Sequence, residues 1–195
     1  MSRTLTTTTT RVIDRLRAGT ASAHERLDAQ FASAGWLDDP AGLADCLTVI
    51  AGCHGAVERL IAHSPLVRIT GHGPKCDLLE RDLDTLGRRG APVVVDVPVP
   101  AFAIGDDAVL GMLYVIEGST LGGRRIAGMV RSAFDAPWSS ATTLLDPYGA
   151  DTPIRWRRTL ATIEQHVTSP ERCVEAAAWA FGLFAIQLAE AGGVR

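Results

Sequence analysis

One segment, GMLYVIEGSTLGG (residues 111–123), constrains the fold of this chain more than any other. Its apolar content predicts a helix, yet Gly118 and Gly122 lie four residues apart, with Gly123 beside them. A glycine inside a helix costs roughly 0.5–1 kcal/mol relative to alanine. Because residues four apart share one helix face, these glycines leave bare backbone there. The pattern predicts close packing against another helix, or a groove in which a flat, bulky ligand approaches the main chain.

An amphipathic helix is predicted over residues 11–31, and it carries a candidate metal ligand. Its apolar stripe consists of Val12, Leu16, Thr20, Ala23, Leu27 and Phe31. His24 lies beside the stripe, and Asp28 follows one turn later, where its carboxylate can reach the imidazole. Arg17 precedes His24 by two turns, roughly 10 Å along the helix axis. An imidazole ligand, an orienting carboxylate and a cation for a propionate would suit an iron porphyrin. A hydrogen-bonded structural histidine on the helix face is the alternative.

Together the two segments resemble the haem oxygenase family. Residues 16–28 (LRAGTASAHERLD) are similar to the proximal helix of that family, and residues 111–123 to its distal helix. The distal helix resembles the form found in bacterial enzymes that make biliverdin, often for bacteriophytochromes. The resemblance runs from about residue 11 to residue 188, with a weaker similarity in AWAFGLF (residues 178–184). It implies an all-α, single-domain bundle over residues 11–195, behind a flexible tail of residues 1–10. Haem would lie between the proximal helix and a kinked, glycine-rich distal helix.

The resemblance also implies an activity. Haem b (iron protoporphyrin IX) would be both cofactor and substrate, cleaved with O2 and an external reductant to biliverdin, CO and ferrous iron. His24 would ligate the iron, with Arg17, Asp28 and Tyr114 as further haem contacts. The catalytic face would comprise Gly118, Ser119, Gly122 and Gly123. The implied partners are an electron donor, such as ferredoxin or a flavoprotein reductase, and a bacteriophytochrome that receives biliverdin.

The chain departs from the best-known family pattern at Ser119. Aligning Gly122 and Gly123 with the paired glycines of the family places Ser119 where many members carry an aspartate that organises distal waters. A serine hydroxyl can join a water network but holds no negative charge. Glu117 is two positions away, roughly 200° around the helix, and is therefore a poor geometric substitute. This departure motivates the alternative function, a haem-binding or haem-transfer protein without turnover. A third hypothesis is an enzyme of the same fold that acts on another small molecule.

Other polar residues have less specific interpretations. Arg155, Arg157 and Arg158 are candidates for a second propionate contact, with Arg157 and Arg158 named first, although a solvated helix face is the simpler explanation of this cluster. We expect Arg124 and Arg125 to be surface charges, and Tyr114 to lie near the haem edge or in the core. His63 and His72 are expected to be exposed beside loop residues, and His54 to form a helix-surface pair with Glu58.

Helical periodicity and capping signals predict an all-α chain. The expected helices cover residues 11–31, 40–63, 75–86, 106–134, 153–167 and 170–192. Gly105 and Asp106 are expected to cap the glycine-rich helix. Residues 91–100 hold three prolines and are expected to form an extended connection, and residues 137–151 a loop.

Composition excludes several classes of function. The net charge of −3 and the pI of about 5.9 give no footprint for nucleic acid. We expect no apolar run near the roughly 20 residues that span a bilayer, and hence no membrane association. The N-terminus shows no apolar segment of a signal peptide, so a cytoplasmic location is expected. The four cysteines form no CxxC motif and are expected to pack in apolar surroundings.

Overall fold

The computed structural model describes residues 11–89, 100–103 and 105–192. Within these ranges it shows no strand, and its elements are seven α-helices and short 3₁₀ turns. The helices are α1 (Val12–Ser33), α2 (Pro40–Ile61), α3 (Pro65–Thr70), α4 (Leu79–Thr85), α5 (Asp106–Ala133), α6 (Thr152–His166) and α7 (Pro170–Gly192). The expected all-α class is therefore confirmed.

The centre of the bundle is formed by α1, α5 and α7. The predicted stripe of α1 faces this core: Leu16, Thr20 and Ala23 are buried, and Leu27 and Phe31 are partly buried. Helix α5 approaches α7 very closely at Gly111, where a Cβ atom would collide with the carbonyl oxygen of Cys173. This glycine therefore serves helix packing, which is one of the two uses predicted for the glycines of α5.

Most helix ends follow the capping signals of the sequence. The Asp39 carboxylate accepts a hydrogen bond from the Gly42 N–H at 2.6 Å, and Pro40 occupies the first turn of α2, where its missing N–H costs nothing. The expectation for α5 was only partly right. Gly105 is its cap residue, but no side-chain hydrogen bond caps this end. Asp107 instead accepts hydrogen bonds from the backbone and hydroxyl of Thr168, which ties α5 to the loop before α7.

Helix α3 was not expected, because no helix was predicted between residues 63 and 75. The Ser64 hydroxyl caps it by accepting from the Leu66 N–H, and Gly71 ends it with a φ of 78°. The predicted helix over residues 75–86 is divided into a 3₁₀ turn, Cys76–Leu78, and α4. The expectations for residues 1–10 and 91–99 lie outside the described residues.

Two helices, α2 and α7, are long and apolar enough to cross a membrane, contrary to the expectation from the sequence. The most apolar windows of α2 and α7 are 67% and 44% buried inside the protein. The two helices also pack against each other. Length and composition are weak indicators for such helices, because core helices of globular proteins share them. Three of the four cysteines, Cys46, Cys53 and Cys173, are buried as expected, and Cys76 is half-buried.

Candidate functional site

A cavity of about 700 Å³ lies between α1, α2, α5 and α7 and the loop before α6. This volume lies within the range of about 300–1,000 Å³ found for pockets that hold cofactors and other small molecules. Several residues predicted from the sequence line it together: His24, Asp28, Tyr114, Gly118, Ser119, Gly122 and Gly123. Residues from two helices far apart in sequence therefore share one cavity.

His24 is the candidate metal ligand on the α1 side. Its Nδ1 atom lies 3.2 Å from a carboxylate oxygen of Asp28, so Nε2 is the nitrogen left for a ligand to bind. The ring of His24 packs edge-on against Phe181, with the ring centroids 5.6 Å apart. Its side chain is 59% exposed, which leaves the imidazole accessible in an open cavity. The geometry suits an axial ligand whose orientation is fixed by a carboxylate.

The three glycines of α5 that line the cavity differ in what surrounds them. At Gly122 a Cβ atom would meet nothing within 4 Å, whereas at Gly118 it would lie 3.3 Å from the indole of Trp156. At Gly123 it would collide with the carbonyl oxygen of Leu145. Gly123 therefore allows the loop before α6 to pack against the helix, while Gly122 keeps main chain open to the cavity. One helix therefore contains both a glycine that allows close packing and a glycine that leaves main chain uncovered.

The loop that packs on Gly123 is held by a buried carboxylate. Asp82 of α4 accepts hydrogen bonds from the N–H groups of Thr143 and Leu144, both at 2.8 Å. Burial raises the pKa of Asp82, and these two bonds oppose that shift. Since Leu144 and Leu145 line the cavity, Asp82 helps to fix one of its walls.

Tyr114 and Arg17 mark one edge of the cavity. Tyr114 is half-buried, lines the cavity and packs against Trp156, with the ring centroids 5.4 Å apart. Burial raises the pKa of Tyr114, and a hydrogen bond with Thr20 and the positive charge of Arg17 oppose that shift. Arg17 itself is exposed, 3.8 Å from the Asp14 carboxylate, and does not line the cavity. It lies near enough to Tyr114 to act electrostatically at this edge.

The other arginines considered as propionate contacts or surface charges lie at different distances from the cavity. Arg157 and Arg158 are exposed on α6 and do not line the cavity. Arg155 donates a hydrogen bond to the Gly71 carbonyl at 2.9 Å and lies over the Tyr148 ring. Arg125, expected to be a surface charge, is exposed but also lines the cavity. Among the described residues that line the cavity, it is the one arginine.

A buried polar cluster lies behind α5, and two expectations about it were wrong. His54 is buried, with 3% of the residue exposed, and does not form a surface pair. The His72 side chain is 2% exposed, whereas only His63 is exposed as expected. His72 was misassigned because its partner, Glu117, lies 45 residues further along the chain. Its Nδ1 atom lies 2.6 Å from Glu117 Oε1.

Glu117 is the centre of this cluster. Its Oε1 atom accepts hydrogen bonds from Lys75 Nζ at 2.8 Å, from Tyr148 at 3.1 Å, and from His72. Burial would raise the pKa of Glu117, but the hydrogen bond from His72 and the charge of Lys75 together lower it to about 2. Burial lowers the pKa of Lys75, and Glu117 opposes that shift. Glu117 is the single charged residue in the largely apolar run of residues 111–121. This pattern could have indicated a buried carboxylate with a buried partner such as Lys75.

Ser119 connects this region to the cavity. Its hydroxyl donates to the Ile116 carbonyl at 2.9 Å, and His54 Nε2 lies 3.4 Å from the same oxygen. Because the hydroxyl proton is already engaged, His54 Nε2 must be the donor. Burial and the charge of Lys75 lower the pKa of His54 to about 3, so the ring is neutral. Its buried Nδ1 atom has no hydrogen-bond partner among the described residues.

Comparison with known proteins identifies the family. No family model matches the chain. A haem oxygenase from Xanthomonas campestris pv. campestris (strain 8004) is 38% identical to it over 124 residues, which are 62% of this chain and 71% of that protein. The chain belongs to the haem oxygenase family. A haem oxygenase from Neisseria meningitidis, solved with NO and with CO bound, has the same fold. The two chains match with a TM-score of 0.77 at 20% identity, over 94% of this chain and 92% of the other.

The described residues of this haem oxygenase family member fit a bound haem. The cavity holds an imidazole whose second nitrogen meets a carboxylate, the usual arrangement for an axial ligand. Gly122 leaves open space where any other residue would place a side chain. His54 contributes a buried, unpartnered acceptor on the α2 side. The site therefore offers a ligand, room for a macrocycle and an unsatisfied polar group.

Proposed function

We propose that this chain binds haem b and cleaves it to biliverdin, CO and ferrous iron. The observation that carries the proposal is that His24 of α1 and the side-chain-free position Gly122 of α5 line the same cavity. Membership of the haem oxygenase family supports the same activity. Ser119 motivated the alternative of haem binding without turnover, but neither the comparisons nor the described residues favour it.

His24 is the residue proposed to hold the iron. Asp28 fixes the tautomer with the proton on Nδ1, which directs the lone pair of Nε2 to the metal. Bound haem supplies the iron and the oxidisable ring, with O2 and external electrons as co-substrates. The protein supplies orientation, restricted access for water, and control over protons.

The α5 side is proposed to control approach to the face of the haem opposite His24. Gly118 and Gly122 keep side chains out of this wall, and the indole of Trp156 covers Gly118. The hydroxyl of Ser119 accepts a hydrogen bond from the neutral His54 ring. Ser119 and His54 thereby form a polar site in the cavity wall that can bind a water molecule. This site would replace the aspartate found in many members of the family.

The propionates are proposed to lie at the edge marked by Tyr114 and Arg17. Arg157 and Arg158 remain predictions for the second contact, and both would have to move to reach the cavity. Arg125 lines the cavity wall and is a further candidate, although it lies about 16 Å along α5 from Tyr114. The guanidinium fork suits a carboxylate, because it offers parallel N–H donors.

The partners and location follow from the family by analogy. We propose an external electron donor such as ferredoxin or a flavoprotein reductase, a bacteriophytochrome as the acceptor of biliverdin, and a cytoplasmic location. The reaction consumes electrons that no described residue can store, because the free cysteines are mostly buried and form no disulfide. The electrons must therefore come from an external donor while haem is bound.

Turnover of the haem complex tests this proposal. The protein reconstituted with hemin is incubated aerobically with ascorbate, with catalase present to remove free peroxide. We expect the Soret band to disappear while bilin absorbance grows near the red end of the spectrum. A Soret band that persists unchanged would reject turnover, and a failure to take up hemin would reject haem binding itself.

A further inference from the structure

The buried pair formed by Lys75 and Glu117 is asymmetric with respect to the cavity. Lys75 lines the cavity although only 1% of its side chain is exposed, whereas Glu117 lies behind it and is not part of the lining. The two groups are 2.8 Å apart. Their charges therefore form a dipole whose positive end faces the cavity.

Lys75 is also the only lysine in the chain, where the other 18 basic residues are arginines. An ammonium group is a compact point charge on a flexible, unbranched stem. The surroundings hold it in place: its backbone N–H donates to Glu58 Oε1 at 2.8 Å, and its Nζ atom donates to Glu117 Oε1 at 2.8 Å.

A buried charge acts on the cavity more strongly than an exposed one. The other charged residues that line the cavity, Asp28, Asp38 and Arg125, are exposed, so water screens their fields. Lys75 is shielded from bulk water, and its interaction with a charge inside the cavity is weakened far less. The carboxylate of Glu58 lies near the same cluster but outside the lining, as Glu117 does.

We propose that the Lys75–Glu117 pair determines the electrostatic potential at the wall of the cavity formed by α2 and α5, and thereby favours anionic over neutral ligands there. Lys75 acts through space and positions no atom of the haem. This inference rests on the proposed function, because the ligands in question bind to the haem iron on the side of Ser119 and His54.

Azide binding to the ferric haem complex tests the proposal, with CO binding to the ferrous complex as the neutral-ligand control. In Lys75→Met the positive end of the dipole is lost and Glu117 remains. At a separation of about 10 Å and an effective dielectric constant of 20–40, one unit charge changes anion affinity roughly 4- to 15-fold. We expect azide to bind at least about fourfold more weakly in this variant, with CO affinity within about twofold of the wild type.

Two further variants separate charge from structure. Lys75→Arg retains the charge and should keep the azide affinity near that of the wild type. The double variant Lys75→Met/Glu117→Gln removes both charges, so it leaves no unpaired buried carboxylate and should fold even where the single variant does not. Since the dipole is lost, azide should bind to it roughly two- to threefold more weakly. Arg131→Met, which removes an exposed cation of α5 outside the cavity, is the matched control and should have no effect.

The outcomes are distinguishable. Azide affinities in Lys75→Met and in the double variant equal to that of the wild type would overturn the proposal. So would a parallel loss of azide and CO affinity, since that indicates a collapsed site. Failure of the wild-type protein to take up hemin would instead reject the proposed function.

Discussion

The carboxylate of Asp28 lies 3.2 Å from His24 Nδ1, one helical turn further along α1. Both residues line the cavity, and both side chains are more than half exposed. The pair is built entirely from local sequence, since positions four apart on a helix face each other. It leaves Nε2 as the ring nitrogen able to bind iron.

Replacing Asp28 by asparagine should weaken haem binding without unfolding the protein. The amide can still accept from Nδ1–H, but it no longer makes the imidazole more basic. Loss of the residue that orients a metal ligand typically lowers the affinity for the metal 10- to 100-fold. Because His24 and Asp28 are exposed, we expect the affinity for hemin to fall by about tenfold. Hemin titration followed at the Soret band measures the effect. Glu25→Gln, an exposed neighbour that points elsewhere, should bind hemin like the wild type.

Gly122 and Gly128 offer a matched pair for the glycine hypothesis. Both lie in α5, and neither would place a Cβ atom within 4 Å of another group, but only Gly122 lines the 700 Å³ cavity. Leucine at either position should raise the free energy of unfolding by about 0.5–1 kcal/mol through helix propensity. Only Gly122→Leu should lower hemin affinity, by at least about tenfold. Equal hemin affinities in the two variants would show that Gly122 does not face the haem.

Gly123→Ala should destabilise the protein instead. Its methyl group would collide with the Leu145 carbonyl oxygen, so either the loop or the helix must move. Such overpacking typically costs about 1–3 kcal/mol. Urea unfolding of the apo-protein measures the loss, and a stability equal to that of the wild type would contradict the observed packing.

The buried carboxylates predict a steep loss of stability in acid. The pKa of Glu117 and that of Glu58 are each lowered to about 2 in the folded protein, from the usual 4.5 of a glutamate. The stabilisation is therefore complete above pH 4.5 and disappears as the pH falls towards 2. Each group contributes at most about 3 kcal/mol, since one pKa unit is worth about 1.36 kcal/mol.

Urea unfolding of the wild type, of Lys75→Met/Glu117→Gln and of Glu25→Gln at pH 5, 4 and 3 measures this dependence. The double variant should show a shallower decline than the wild type, because it lacks one of the two titrating groups. Glu25→Gln removes an exposed carboxylate and should reproduce the wild-type decline. Parallel declines in the wild type and the double variant would contradict the low pKa of Glu117.

Local pattern predicted the helices and the α1 side of the site, because both depend on residues within one or two turns. The apolar stripe through Leu16 and Thr20 and the pairing of His24 with Asp28 are examples. Helix α3 was missed, since six residues between Ser64 and Gly71 are too few to show periodicity. The burial of His72 could not be predicted, because it depends on Glu117, whose position beside it is set by the tertiary fold.

Arg125 is exposed as expected, but its place in the cavity lining was not predicted, for a related reason. An exposed residue can still line an open cavity, and periodicity distinguishes only a core face from a solvent face. The two uses of the glycines, close packing at Gly123 and open space at Gly122, were both predicted as alternatives. The position of Leu145 in the tertiary structure determines that Gly123 is the packed glycine and Gly122 the open one.

Hemin titration of the wild type, His24→Ala and His63→Ala is the most direct test of the central claim. His63 is an exposed histidine outside the cavity and serves as the control. We expect one hemin per chain with the same Soret and iron spectra in the wild type and His63→Ala, and a lost or altered axial ligation in His24→Ala. An iron spectrum in His24→Ala identical to that of the wild type would contradict the assignment of His24 as the iron ligand.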